Sequence, residues 1–289
     1  MIPLPASAWR YLGDRPGEGE VVPVDGVGLG PLLLVGDSAA PGGVRCLPNV
    51  CTHRGAALLT EPARGRGRLR CPYHGRCFAT DGRLLSAPGF EDLPDEPLVE
   101  LSVGAYGSAV FGAHDPERAF VDWLPAGLSA PPPRSAGRAY EIDAPWTLYV
   151  ENFLEGLHVP FAHPGLNAAL DHATYRTEVD GHRVLQRCDD VRWWFLFPST
   201  MLNIYGWGVS LNAIEPMKGG WTRVRYVTYG EPTPDWGVDL HQTEMEDQAL
   251  VESVARGVAS PFFHPGALSP RWESGVAAFR RLLAELPVV

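Results

Sequence analysis

At 289 residues the chain has room for two ordinary domains, and a hydrophobic fraction of 45% supplies real cores, which excludes a disordered chain. The formal net charge is −10 and Lys218 is the only lysine, yet Arg54, Arg64, Arg66, Arg68, Arg70, Arg76 and Arg83 crowd one short segment. An acidic chain with no aromatics interleaved in that segment excludes a nucleic-acid surface, leaving a solvated face or a docking surface for an acidic electron donor.

The first residues, MIPLPASAWRYLGD, lack a basic start and a long apolar core, so no secretory signal is expected. No window approaches ~18 uninterrupted apolar residues, so no membrane span is expected, and a cytoplasmic setting fits. Residues 20–112 read as short strands punctuated by glycine and proline. Gly30-Pro31 precedes the run LLLV, and Asp81-Gly82 marks a tight hairpin turn after CFAT.

Two ligand pairs interrupt these strands: Cys51-Thr-His53 and Cys71-Pro-Tyr-His74. A [2Fe–2S] cluster with mixed ligation holds one iron by two Cys and the other by two His, so each iron needs one ligand from each loop. Tetrahedral zinc is the plain alternative, but zinc sites usually keep like ligands together, and here each pair mixes them. Cys46, Cys77 and Cys188 remain, a poor count for a disulfide framework, and Cys46 and Cys77 read more simply as small buried residues than as ligands.

Asp115-Pro116 reads as a helix start, and APPPRSAG at 130–137 as a linker. Residues 146–158 carry helical periodicity, and 191–229 are rich in aromatic and β-branched residues at strand spacing. A helix is expected over 243–256, closed by Gly257, and a last one over 271–285. The fold class is therefore α+β. An all-β domain over 1–114 is followed by a linker with a short helix over 115–140, then by an antiparallel sheet with helices on one side over 141–289.

Between Glu151 and His163 the sequence runs ENFLEGLHVPFAH. Glu151, Glu155 and His158 at i, i+4 and i+7 would share one helix face, and Pro160 should bend or end the helix before His163. That distortion would let the two imidazoles converge on one metal. Two His and one carboxylate with open positions describe a facial triad for Fe(II). Asp247 is the expected carboxylate, because Leu250, Val251, Val254 and Val258 place it on a core-facing stripe, where an unpaired charge is costly. Glu244, Glu246 and Glu252 fall off that stripe and read as solvated. A buried partner for an Arg or a backbone amide is the plainer reading of Asp247.

CTHRG and CPYHG resemble the Rieske [2Fe–2S] domain. Cytochrome bc-type members carry an extra Cys in each loop, where this chain has Ala56 and Tyr73, so the chain is similar instead to the ferredoxin and oxygenase branch. Many oxygenases have Trp after the second HG; here Arg76 stands there. With NFLEGLHVPFAH and the EDQALVE helix added, the chain resembles the catalytic α-subunits of Rieske non-haem iron oxygenases, which hydroxylate or demethylate rings and other small organic substrates. The resemblance implies a helix-grip-like catalytic domain with Fe(II) bound by His158, His163 and Asp247. It implies a bridge from Glu155, where many members have Asp, to a cluster His of a neighbouring subunit. It also implies an Asn152 near the iron, and a homotrimer.

GVGLG at 26–30 lacks the helix that a dinucleotide fingerprint needs, so NAD(P)H must be oxidised on a separate reductase, with or without a ferredoxin. Trp193, Phe195 and Phe197 alternate on one strand, as do Asn203, Tyr205, Trp207 and Val209 on another. Leu154, Leu157 and Phe161 could add apolar walls. Such a pocket suits an aromatic substrate, the class the family favours, and equally a quaternary ammonium held by cation–π contact. A Rieske electron carrier or redox sensor with an appended ligand-binding domain is the non-enzymatic alternative.

Overall fold

The computed structural model describes residues 2–65, 67–233 and 236–286; Arg66 of the basic segment lies outside them. Contacts divide the chain into two units, one from Pro5 to Ala126 and the other from Gly127 onward with the first four residues. Residues 115–140 are shared between the units. Their short helix belongs to the first, and the first strand of the second begins at Arg134, just after the prolines.

The first unit holds three small antiparallel sheets. β1 (Arg10–Asp14), β9 (Ser102–Tyr106) and β10 (Ala109–Ala113) form one, in the order β1-β10-β9. β2 (Glu20–Gly26), β3 (Gly30–Gly36), β4 (Val44–Pro48) and β5 (Ala63–Arg64) form the second, in the order β4-β3-β2-β5. β6 (Arg68–Arg70), β7 (Cys77–Ala79) and β8 (Leu84–Ser86) form the third. GVGLG is the connection of the β2–β3 hairpin, with Gly26 opposite Gly30. Gly82 closes the β7–β8 turn at φ +90°, a conformation that favours glycine.

Leu33, Leu47, Leu58, Leu69, Phe78 and Leu98 form an apolar core that also takes in Cys51 and Cys71. α1 (Phe120–Trp123) starts later than Asp115-Pro116 suggests. It forms where Phe120 and Trp123 can pack on Phe111, with ring centroids 5.5 and 5.4 Å away. Asp115 itself sits at φ +46° and does not cap it.

The second unit is built on a seven-stranded antiparallel sheet. Its strands are β11 (Arg134–Ile142), β12 (Arg176–Asp180), β13 (Arg183–Cys188), β14 (Val191–Leu196), β15 (Thr200–Tyr205), β16 (Gly208–Pro216) and β17 (Thr222–Tyr229). They lie in the order β11-β17-β16-β15-β14-β13-β12, so five consecutive hairpins run from β12 to β17 and β11 closes the far edge. One sheet face is covered by α2 (Trp146–Phe153), α5 (Leu240–Val258) and α6 (Ser274–Ala284).

At one end of that face Ile142, Val184, Phe195, Met201, Ile214 and Val224 pack against Trp146, Val150, Val251 and Phe279. Each such large buried side chain contributes about 1.5–3 kcal/mol. At the other end the same face turns polar. Among the described residues no helix is long and apolar enough to cross a membrane.

The expected helix over 146–158 is shorter than its periodicity suggests. α2 stops at Phe153, and α3 (Val159–Ala162) and α4 (Pro164–Ala169) follow as separate short helices. Pro160 therefore opens α3 from its first turn, where a missing N–H costs nothing, rather than bending a continuous helix. α5 runs through Gly257 and is capped at its start by the Asp239 carboxylate, which accepts from the His241 and Gln242 amides.

Candidate cluster and metal sites

The two loops that carry Cys51/His53 and Cys71/His74 are built alike. Cys51 N–H donates to the Ala56 carbonyl (2.8 Å) and Gly55 N–H returns to Cys51 (2.9 Å). Cys71 N–H donates to the Arg76 carbonyl (2.7 Å) and Gly75 N–H returns to Cys71 (3.1 Å). Each turn closes through a glycine four residues after the cysteine, at φ +75° and +77°, which explains the HRG and HG endings. Buried Asn49 ties down the first loop by accepting from the Leu58 and Leu59 amides and donating to the Leu59 carbonyl.

Both cysteines are 2% exposed and their thiols are in hydrogen-bond contact. The His53 and Arg54 amides point at Cys51 Sγ, and those of Tyr73 and His74 at Cys71 Sγ. Amide donors around paired sulfurs stabilise thiolates. His53 and His74 lie above them, exposed, with rings edge to face at 4.7 Å. Two sulfurs within and two imidazoles outward is a donor set that fits a [2Fe–2S] cluster.

Arg76 is internal. It is 2% exposed, donates to Thr52 Oγ1 (3.2 Å) and to the Glu96 carboxylate, and lies 5.1 Å over the Phe90 ring. It braces the cluster loops from within and is no part of a basic docking surface. Arg54, Arg64, Arg68, Arg70 and Arg83 are exposed.

In the second unit, His158 N-caps α3 and His163 ends it. Their Nε2 atoms lie 3.1 Å apart, and Asp247 Oδ1 is 3.4 Å from the first and 3.1 Å from the second. Glu151 is not among them, because α2 has ended before Glu155 and Glu151 pairs instead with Arg280 at 2.7 and 2.8 Å.

Each partner is held in turn. His158 Nδ1 donates to Glu155 Oε1, and Glu155 Oε2 accepts from the Leu157 and His158 amides. His163 Nδ1 donates to Glu246 Oε2 at 2.8 Å, and Asn152 Nδ2 donates to Asp247 Oδ1 at 2.5 Å. A carboxylate only accepts, so each Nδ1 carries a proton and each neutral Nε2 presents a lone pair. Three lone-pair atoms facing one another need a cation between them.

Burial disfavours charge on His158, but Asp247 and Glu155 overcome it and raise the imidazole to about 9. Burial likewise opposes the charge on Asp247, and the two imidazoles overcome it and hold the carboxyl at about 2. Two imidazoles and a carboxylate with space on one side fit Fe(II).

The face of α5 differs from the expected stripe. Leu250, Val254 and Val258 are 37, 47 and 37% exposed, whereas Glu244 and Gln248 are buried beside Val251. The helix turns Glu244 and Asp247 onto a cavity of about 110 Å³. Glu244 and Glu246, read as solvated, are both partners within the site.

Tyr149, Tyr175, Trp193, Tyr205 and Tyr226 give the cavity aromatic walls, and Asn203, Asn212 and Glu244 give it polar ones. Of the expected wall residues, Phe195 and Phe197 pack on Phe279 instead (5.5 and 6.2 Å), and Trp207 stacks on Tyr205 at 4.9 Å. Gly206-Trp207 is the β15–β16 turn, so the alternation reverses there and Val209 falls on the opposite face. Leu154 is core, while Leu157 and Phe161 are 42 and 84% exposed. Tyr149, Tyr175 and Tyr226 are walls that the sequence reading does not name; an inward period of two on β17 is the available signal for Tyr226.

Residues 14–97 match the Rieske [2Fe–2S] domain family. The fold of the chain is that of Rieske oxygenase α-subunits. The quaternary ammonium Rieske monooxygenase CntA in complex with L-carnitine superposes with a TM-score of 0.76 at 25% identity, over 97% of this chain and 89% of that one. Naphthalene 1,2-dioxygenase from Rhodococcus, bound to indole, gives 0.70 at 17% identity, over 98% and 90%.

In sequence the chain is homologous to the chloroplastic choline monooxygenase of Arabidopsis thaliana, at 26% identity over 78% of this chain and 64% of that protein. It is also homologous to the carnitine monooxygenase oxygenase subunit of Escherichia coli K12, at 27% identity over 84% and 78%. The chain thus spans under two thirds of the choline monooxygenase it matches.

Proposed function

We propose that the protein is the terminal oxygenase component of a Rieske non-haem iron system acting on a small quaternary ammonium compound. The convergence of His158 Nε2, His163 Nε2 and Asp247 Oδ1 at the edge of an aromatic-walled cavity carries this reading. Cys51 and Cys71 would hold one iron of the cluster, His53 and His74 the other, and the triad the mononuclear Fe(II). When bound, the cluster passes single electrons and the Fe(II) offers open positions to O2.

The chain's own residues prepare that chemistry. Glu155 and Glu246 hold the Nδ1 protons and so fix which imidazole nitrogen faces inward, and Asn152 holds Asp247 in place. The rings exclude water and present π faces to a cation. The aromatic substrate that the sequence resemblance favoured gives way here, because the curated relatives are choline and carnitine monooxygenases.

An NAD(P)H-dependent reductase supplies the electrons in this reading. The functional unit is a homotrimer in which Glu155, already against His158, reaches a cluster His of the adjacent subunit. Iron counting with EPR of the reduced protein tests the proposal. Three irons per chain and a Rieske signal support it; two irons point to an electron carrier, and a silent spectrum to zinc.

A further inference from the structure

Glu244 stands in the cavity wall one turn before Asp247 and is 6% exposed. Its carboxylate accepts from Tyr149 OH at 2.8 and 2.9 Å, from Gln248 Nε2 at 3.3 Å and from Asn212 Nδ2 at 3.4 Å. All of these donors are neutral. Among the described residues lining the cavity there is no Arg and no Lys. A buried carboxylate without a cation is costly, and hydrogen bonds from neutral groups offset only part of that cost.

A divalent metal at the triad would be answered by Asp247, by Glu155 behind His158 and by Glu246 behind His163. The charge of Glu244 would still be left over. Tyr149, Tyr205 and Tyr226 line the same space, so a cation placed against Glu244 would meet aromatic surface as well.

Resting on the substrate class proposed above, we infer that Glu244 is the counter-ion of the substrate's ammonium group. The pocket therefore takes a monocation without a carboxylate, of the choline kind, in preference to a zwitterion of the carnitine kind. A substrate carboxylate would enter a wall that already carries Glu244, Asp247 and Glu155 and, among the described residues, no Arg or Lys, while a metal at the triad is already matched by its own carboxylates. A hydroxyl is better matched. Asn203 Oδ1 is buried without a partner, and an O–H can donate to it where a carboxylate cannot. Burial, helped by Asp247, raises the Glu244 carboxyl to about 7, as suits an ionised form short of a counter-charge.

The test is calorimetric binding of choline, L-carnitine and dimethylbutanol, the uncharged carbon isostere of choline, to the anaerobic holoenzyme with both iron sites filled. Choline is expected to bind at least about tenfold more tightly than either other probe. Glu244→Gln should cost choline about tenfold or more while leaving dimethylbutanol unchanged and iron content intact. The comparison of the three probes on the unaltered protein stands even if that variant fails to fold.

Carnitine binding as tight as choline, or choline affinity unmoved in Glu244→Gln, overturns this inference alone. Failure of both quaternary ammonium probes to bind at full iron content overturns the substrate class as well.

Discussion

His158 Nε2 and His163 Nε2 face each other at 3.1 Å, with Asp247 Oδ1 at 3.4 and 3.1 Å from them, and that carboxylate raises both imidazoles against the effect of burial. A metal entering the site competes with protons for these lone pairs. With His158 raised to about 9, uptake of Co(II) or Fe(II) at pH 8 is expected to release close to one proton, and affinity should rise with pH until about 9. Titrations in buffers of different ionisation enthalpy measure the release; identical heats in all buffers would count against it.

The same relationship sets the cost of losing a donor. Asp247→Asn or His163→Ala should lower iron from three per chain to two while the Rieske spectrum stays intact, since the cluster ligands lie in the other unit. Metal analysis beside the visible spectrum of one sample reads both at once.

Glu155 touches His158 and not the cavity's three donor atoms. Glu155→Gln is therefore expected to keep all three irons and to lower turnover by about tenfold or more, through a loosened His158 and, in the proposed trimer, the loss of the bridge to the neighbouring subunit. Retained turnover with normal reoxidation of the reduced cluster would sink the bridging role.

Arg76 is buried beneath the cluster loops, with Glu96 and Phe90 as partners. Arg76→Ala should destabilise the first unit by about 1–3 kcal/mol, mostly through lost packing, because Glu96 is 44% exposed and can return to water. Arg76→Lys keeps the charge but not the fork, so it should recover only part of this. Denaturant melts followed at the cluster absorbance band separate the three proteins.

Glu244 also predicts a gain. Its carboxyl is raised from 4.5 to about 7 in the fold. Its contribution to stability is therefore fully present below 4.5 and is lost as pH rises through about 7. Glu244→Gln escapes that loss, so in metal-free protein the melting temperatures should be similar at pH 5. At pH 8 the variant should be the more stable, by at most about 3 kcal/mol. A gap that does not widen with pH would place the cost of Glu244 elsewhere.

What the sequence made legible was what depends on short spacing. Cys51/His53 and Cys71/His74 lie on single turns closed by Gly55 and Gly75, so their residue types and intervals almost state their geometry. His158 and His163 are similarly local. Apolar residues alone misplace the inward face of α5, because that face carries Glu244 and Asp247 over the cavity and buried Gln248 beside Val251. The aromatic walls failed at Val209 for another reason. A two-residue turn at Gly206-Trp207 reverses the strand, and no count of alternation survives a reversal that is not recognised.

The two sites also differ in how much chain must be in place before they exist. Cys51 to His74 spans one small unit, so its four donors can converge as soon as that unit has folded. Asp247 meets His163 across 84 residues, and only after six strands and α5 have closed over the sheet. The cluster donors thus depend on contacts within one unit of the chain, whereas the metal donors depend on contacts that reach across most of the other.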